Sequence, residues 1–124
     1  MIIAVDFDGT LCVDRYPSIG VPMPYAIGVM QQLAADGHYL IIYTCRESDL
    51  LIEAINWLLA HHIPFNRVND NHPDATAKYG NNARKVFADL YVDDRNIHGF
   101  PGWMEVYEAV KAKDEQLKLK EAER

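Results

Sequence analysis

Positive charge is scarce in this chain: 12 Lys and Arg stand against 18 Asp and Glu, a formal net charge of -6. The shortage deepens in the body. Residues 111–124 hold five basic and four acidic side chains, which leaves seven basic against fourteen acidic in residues 1–110. Broad binding to nucleic acid or to an anionic membrane draws most of its affinity from Lys and Arg, so both are disfavoured. Cysteine is scarce too. Cys12 and Cys45 are too few for a disulfide framework and read as reduced thiols of a cytoplasmic protein. Long apolar runs are missing; the longest are strand-sized, which excludes a membrane-spanning segment. No basic start and cleavage site precede Asp6, so no secretory leader is read.

What is present fits one small domain, 1–124, with 49% hydrophobic residues to build its core. Ile2-Ile3-Ala4-Val5, Leu40-Ile41-Ile42-Tyr43 and Leu90-Tyr91-Val92 are continuous apolar runs, and Phe65 to Val68 is a weaker one. Such runs suit strands buried on both faces of a parallel sheet. Between them lie helical patterns. Pro24 opens one, with Ile27, Met30 and Ala34 on a face and Asp36-Gly37 as the stop. Ser48 caps a second, with Leu51, Ala54, Ile55 and Leu58 inward. A third spans about 103–120, from Trp103 through Val106, Tyr107 and Val110 into a charged tail. Residues 69–84 read as a long loop. Alternating strands and helices predict a doubly wound α/β domain with a mostly parallel sheet.

Polar groups follow each apolar run directly: Asp6 and Asp8, then Thr44 and Arg46, then Asn69 and Asp70, then Asp93 and Asp94. In a parallel sheet these would emerge at one edge, where open α/β folds bind ligands. Crowded carboxylates repel and raise one another's pKa, a conflict that a hard divalent cation resolves. With such a cation present, a carboxylate can attack phosphorus as a nucleophile, and nearby cations offset the phosphoryl charge. Candidates for that are Lys85, Arg46, Arg84, Lys78 and Arg95; Arg46 equally suits a pairing with a nearby acid.

The run Asp6-Phe7-Asp8-Gly9-Thr10-Leu11 after an apolar strand resembles the nucleophile motif of the haloacid dehalogenase-like (HAD) superfamily. Thr44 is similar to its second motif, and Asp93-Asp94 to its acidic fourth. Lys85 is similar to the lysine of its third motif in small members, with Lys78 as the alternative. The likeness covers residues 2–95 in motif order. It implies a three-layer Rossmann-like fold with the four strands in the order 3-2-1-4. It also implies a magnesium-dependent phosphatase acting on phosphomonoesters. Asp6 would form the aspartyl-phosphate and ligate Mg2+. Asp8 would serve as general acid and base and give a backbone carbonyl to the metal. Thr44 and Lys85 would hold phosphoryl oxygens, with Gly9, Thr10 and Arg46 at the substrate. Asp93 and Asp94 would complete the metal site, the direct ligand being open between them. The second aspartate, Asp8, marks phosphatase-like branches and not dehalogenases.

Members of that superfamily often carry a cap domain. Here 12–23 is too short for one, and 45–84 is occupied, so the resemblance implies a capless member with a small flap hairpin over 11–22. An open site suits a phosphorylated small molecule, a macromolecule, or a lid from a second copy in a homo-oligomer. Ile97 to Trp103 is similar to the closing run of small bacterial hydrolases of the superfamily. A nucleotidase or a polynucleotide end-phosphatase is the alternative, with nucleic acid entering only as substrate. Receiver domains of two-component signalling share the fold type and the residue kinds. They place the acidic pair first and the phospho-acceptor later, the reverse of the order here.

Overall fold

The computed structural model describes residues 1–123. It is an α/β fold built on a four-stranded parallel sheet. In chain order, β1 (Ile2–Val5) leads into a hairpin of β2 (Cys12–Arg15) and β3 (Ser18–Pro22), then α1 (Ala26–Ala35). There follow β4 (Tyr39–Ile42), α2 (Ser48–Ala60), β5 (Arg67–Val68), α3 (Pro73–Tyr79), β6 (Leu90–Val92) and α4 (Trp103–Ala122). The sheet runs β5-β4-β1-β6.

The apolar runs are continuous because both sheet faces are covered. Ile3, Val5, Leu40 and Ile42 face a larger core shared with α1 (Ala26, Val29, Met30, Leu33), α2 (Ala54, Leu58) and α4 (Trp103, Val106, Val110). Ala4 and Ile41 face a smaller one closed by Val86 and Ala88. Three helices thus share one face, and the segment before β6 closes the other. Among the described residues, no helix is long and apolar enough to cross a membrane.

Several local expectations change. The buried stripe of α1 runs through Val29 and Leu33, with Ile27 and Ala34 at its margin. Ser48 does not cap α2. It is the first helical residue, at φ 51, and Glu47 sits at the cap without a side-chain bond. The stretch 69–84 is not all loop, because α3 forms within it. Pro73 starts that helix, the His72 ring accepts from the Asp74 N–H, and Gly80 at φ 70 ends it.

The register fixes the functional edge. Val5 pairs with Ile42 and Val92, and Ile42 pairs with Val68. The residues leaving these strand ends therefore converge on one rim of the sheet.

Candidate active site

The chain leaves β1 at Asp6, whose N–H still donates to the Val92 carbonyl at 2.9 Å. Beyond it the backbone folds back on itself. The Phe7 carbonyl accepts from the N–H groups of Thr10 and Leu11, and Gly9 N–H donates to Cys12 O. Thr10 is fully buried and its hydroxyl donates to Asp6 Oδ2 at 3.1 Å. The Thr10 carbonyl in turn accepts from Trp103 Nε1 at 2.7 Å. The loop that aims Asp6 is thus pinned to the first turn of α4. Thr10 supports Asp6 through its hydroxyl, and the N–H groups of Gly9 and Thr10 are engaged in backbone bonds within the turn.

Asp6, Asp93 and Asp94 each bring a carboxylate oxygen to within 4.8 Å of the others. Burial first, and the Asp93 charge second, push Asp6 up from its ordinary 3.8 to about 7. Asp94 is raised as well, by burial and by its hydrogen bond with Asp93. Gly9 is what lets the cluster close. Its φ is 82, and a Cβ there would collide with Asp94 Oδ2 and lie 2.8 Å from Asp94 Cγ. Gly9→Ala should therefore both strain the backbone and displace Asp94, lowering Tm and weakening divalent-cation binding roughly tenfold or more. Wild-type cation affinity in a calorimetric titration of this variant would contradict that role for Gly9.

Asp8 points elsewhere. Its two oxygens take a fork from Arg46, Nε to Oδ2 and Nη2 to Oδ1, both at 2.8 Å. The remaining Arg46 N–H groups go to Pro17 O, Ser18 O and Leu50 O. All five donors of the guanidinium are therefore engaged inside the protein. The side chain is 0% exposed, and the guanidinium lies against the Phe7 and Tyr16 rings, at 5.3 and 5.1 Å. Arg46 therefore lies behind Asp8, holding it and the hairpin together.

Thr44 is fixed by Asn69, which accepts from Thr44 N–H at 2.8 Å and donates to Thr44 O at 2.9 Å. Asn69 adopts φ 51, in the left-handed region that Asn enters more readily than most side-chain-bearing residues. The Thr44 hydroxyl accepts from Arg46 N–H at 3.2 Å, which leaves its own proton free to donate outward. Its position after β5 placed Asn69 at this edge in the sequence, but its clamp on Thr44 was not readable there.

These groups surround a cleft of about 710 Å³, lined by Asp6, Asp8, Thr44, Asn69 and Asp93 together with Asp14, Tyr16, Tyr43, Cys45, Arg84 and Arg95. Lys85 borders a second cavity of about 360 Å³ that also reaches Asp6 and Asp93. Its ammonium lies 5.2 Å from the Tyr91 ring centre. Lys78 sits over Tyr79 on α3 and lines neither cavity.

The three carboxylates suit a hard cation. All donors are oxygen, and two of them are forced toward protonation in its absence, a conflict that a divalent ion would remove. No protein-family model matches the chain, and no curated protein matches it. A solved structure does. It is that of a conserved protein coded by a locus from Bacteroides thetaiotaomicron, 42% identical, with 91% of each chain covered and a TM-score of 0.82. At that identity over that much of both chains, this chain belongs to the same protein family as the conserved Bacteroides protein.

Proposed function

We propose that the chain is a magnesium-dependent phosphomonoester hydrolase of capless HAD-like type, carrying the phosphoryl group on Asp6. The observation that carries this is the Asp6–Asp93–Asp94 cluster at the rim of a parallel sheet, opening on a cleft that Asp8 and Thr44 also line. A hard divalent cation would be held by Asp6, Asp93 and Asp94, with the Asp8 carbonyl beside them, and would offset charge on the phosphoryl oxygens.

The chain's own groups supply the rest. Thr10, pinned by Trp103, holds one Asp6 oxygen and leaves the other to attack phosphorus. The Thr44 hydroxyl and the Lys85 ammonium hold phosphoryl oxygens. As the bond from phosphorus to the leaving oxygen breaks, Asp8 gives that oxygen a proton. Asp8 then takes a proton from the water that attacks the aspartyl-phosphate, and Asp6 is regenerated. Arg46 occupies about two of the roughly four lone-pair sites of the Asp8 carboxylate, so the outward ones stay open to these transfers.

Turnover of a generic aryl phosphate should require magnesium, stop with EDTA and return on re-addition; no turnover under any divalent cation would sink the proposal. Cation binding should also release protons. With Asp6 near 7, magnesium must displace a proton at lower pH, so its affinity should rise through pH 7 and level above about pH 8. Calorimetry in buffers of differing ionisation enthalpy reads that release directly, and a pH-independent affinity would contradict it.

A further inference from the structure

Arg84 and Arg95 line the same cleft as Asp6, and neither guanidinium is paired with a carboxylate among the described residues. That is notable where four aspartates line the same walls. Both arginines are held near the site by their backbones. Asp93 Oδ1 accepts from Arg95 N–H at 3.1 Å. The Arg84 loop is fastened by Asn71, which is buried and bonds Asn82 Oδ1 at 2.8 Å, Ala83 O at 3.1 Å and Phe87 N–H at 2.7 Å. Bonds on both sides of Arg84 hold its backbone at the cleft and leave its exposed side chain free to meet a ligand there. In the hydrolase reading the scissile phosphoryl group would be met by Thr44, Lys85 and a cation at the Asp6–Asp93–Asp94 cluster, so two more cations exceed its needs. The cleft, about 710 Å³, is within the roughly 300–1,000 Å³ of small-molecule sites and far larger than one phosphate.

We infer that Arg84 and Arg95 form a subsite for a second anionic group, so that the substrate is a small phosphomonoester bearing another phosphate or a carboxylate. This rests on the hydrolase reading of the Asp6 site. Guanidinium groups suit both anions, because their paired N–H groups match two oxygens at once. The acidic body disfavours a long polyanion, which would meet repulsion beyond the cleft.

The test compares matched pairs: a hexose bisphosphate against the hexose monophosphate, and a phosphorylated hydroxy acid against the phosphorylated alcohol. Wild type should favour the two-anion member by about tenfold or more in kcat/KM, and the preferred pair tells phosphate from carboxylate. In Arg84→Gln/Arg95→Gln that ratio should fall toward one. An unchanged ratio would overturn the subsite, including the case in which the arginines merely help hold the scissile group and both members slow together. Preference for a 5′-phosphorylated oligonucleotide over every small bis-anion would overturn the small-molecule assignment. Calorimetric binding of the same pairs needs no turnover. Tighter arginine-dependent binding of the two-anion ligand without hydrolysis of either would uphold the subsite and refute the hydrolase.

Discussion

Asp6→Asn will abolish turnover and, without divalent cations, make the protein more stable at about pH 8. The loss of activity should be at least ~10⁴-fold, because an amide cannot attack phosphorus and the remaining groups only bind and polarise. The gain in stability follows from the crowding. Asp6 is held up at about 7 by burial and by Asp93, against an ordinary 3.8. The native state therefore keeps a proton there that the unfolded chain has released. That preference favours folding below about pH 4 and is lost as pH rises through about 7, above which the native state holds a desolvated charge beside two others. Asparagine removes the charge and still offers an oxygen to the Thr10 hydroxyl. Its Tm advantage should therefore grow from about pH 4 to pH 8 and shrink when magnesium is added to wild type, since a ligand that binds only the native state stabilises it. Thermal melts across pH with EDTA measure this. A variant less stable than wild type at pH 8 would show that the Asp6 charge does not destabilise the native state.

Arg46→Ala should be the most damaging substitution to the fold near the site. It strips both bonds from Asp8 and leaves the carbonyls of Pro17, Ser18 and Leu50 without this donor. Removing one partner of a buried, hydrogen-bonded pair costs about 3–5 kcal/mol, a large share of a typical total of roughly 5–15. Because the alanine variant can fail to fold, Arg46→Lys is the informative companion. Lysine keeps the charge but cannot make a fork, so Asp8 should swing and turnover should fall by about a hundredfold while the protein still folds. Urea denaturation and steady-state rates report the two effects separately. Wild-type rates in Arg46→Lys would show that the fork does not position Asp8.

The rim of the site was legible because a parallel sheet needs no detail to align strand ends. Asp6, Thr44 and Asp93 each follow an apolar run, and parallel pairing alone brings such residues together. The divergence of Asp6 from Asp8 was only half legible. Two residues apart on a strand they would share a face, yet β1 ends at Val5 and the turn at Gly9 sends one carboxylate to the acid cluster and the other to Arg46. That partner lies 38 residues away, so no local pattern announces it. The Trp103–Thr10 bond spans 93 residues and is equally silent in sequence. The helix α3 had its signals, Pro73 at the start and Gly80 at the end, but only seven residues between the polar runs. Too few apolar positions fit in that length to reveal a period.

Covalent phosphorylation of Asp6, as proposed, would be visible by intact-mass spectrometry of the Asp8→Asn variant. Without Asp8 to activate water, the acceptor should stay loaded. Mixed with magnesium and a phosphomonoester with a good leaving group, the variant should gain one phosphoryl group, mapped by peptide digestion to Asp6 and absent when Asp6 is also changed to Asn. A phosphoryl group mapped to any other residue, or hydrolysis at wild-type rate with Asp6 unmodified at every time point, would contradict the assignment of Asp6 as the acceptor.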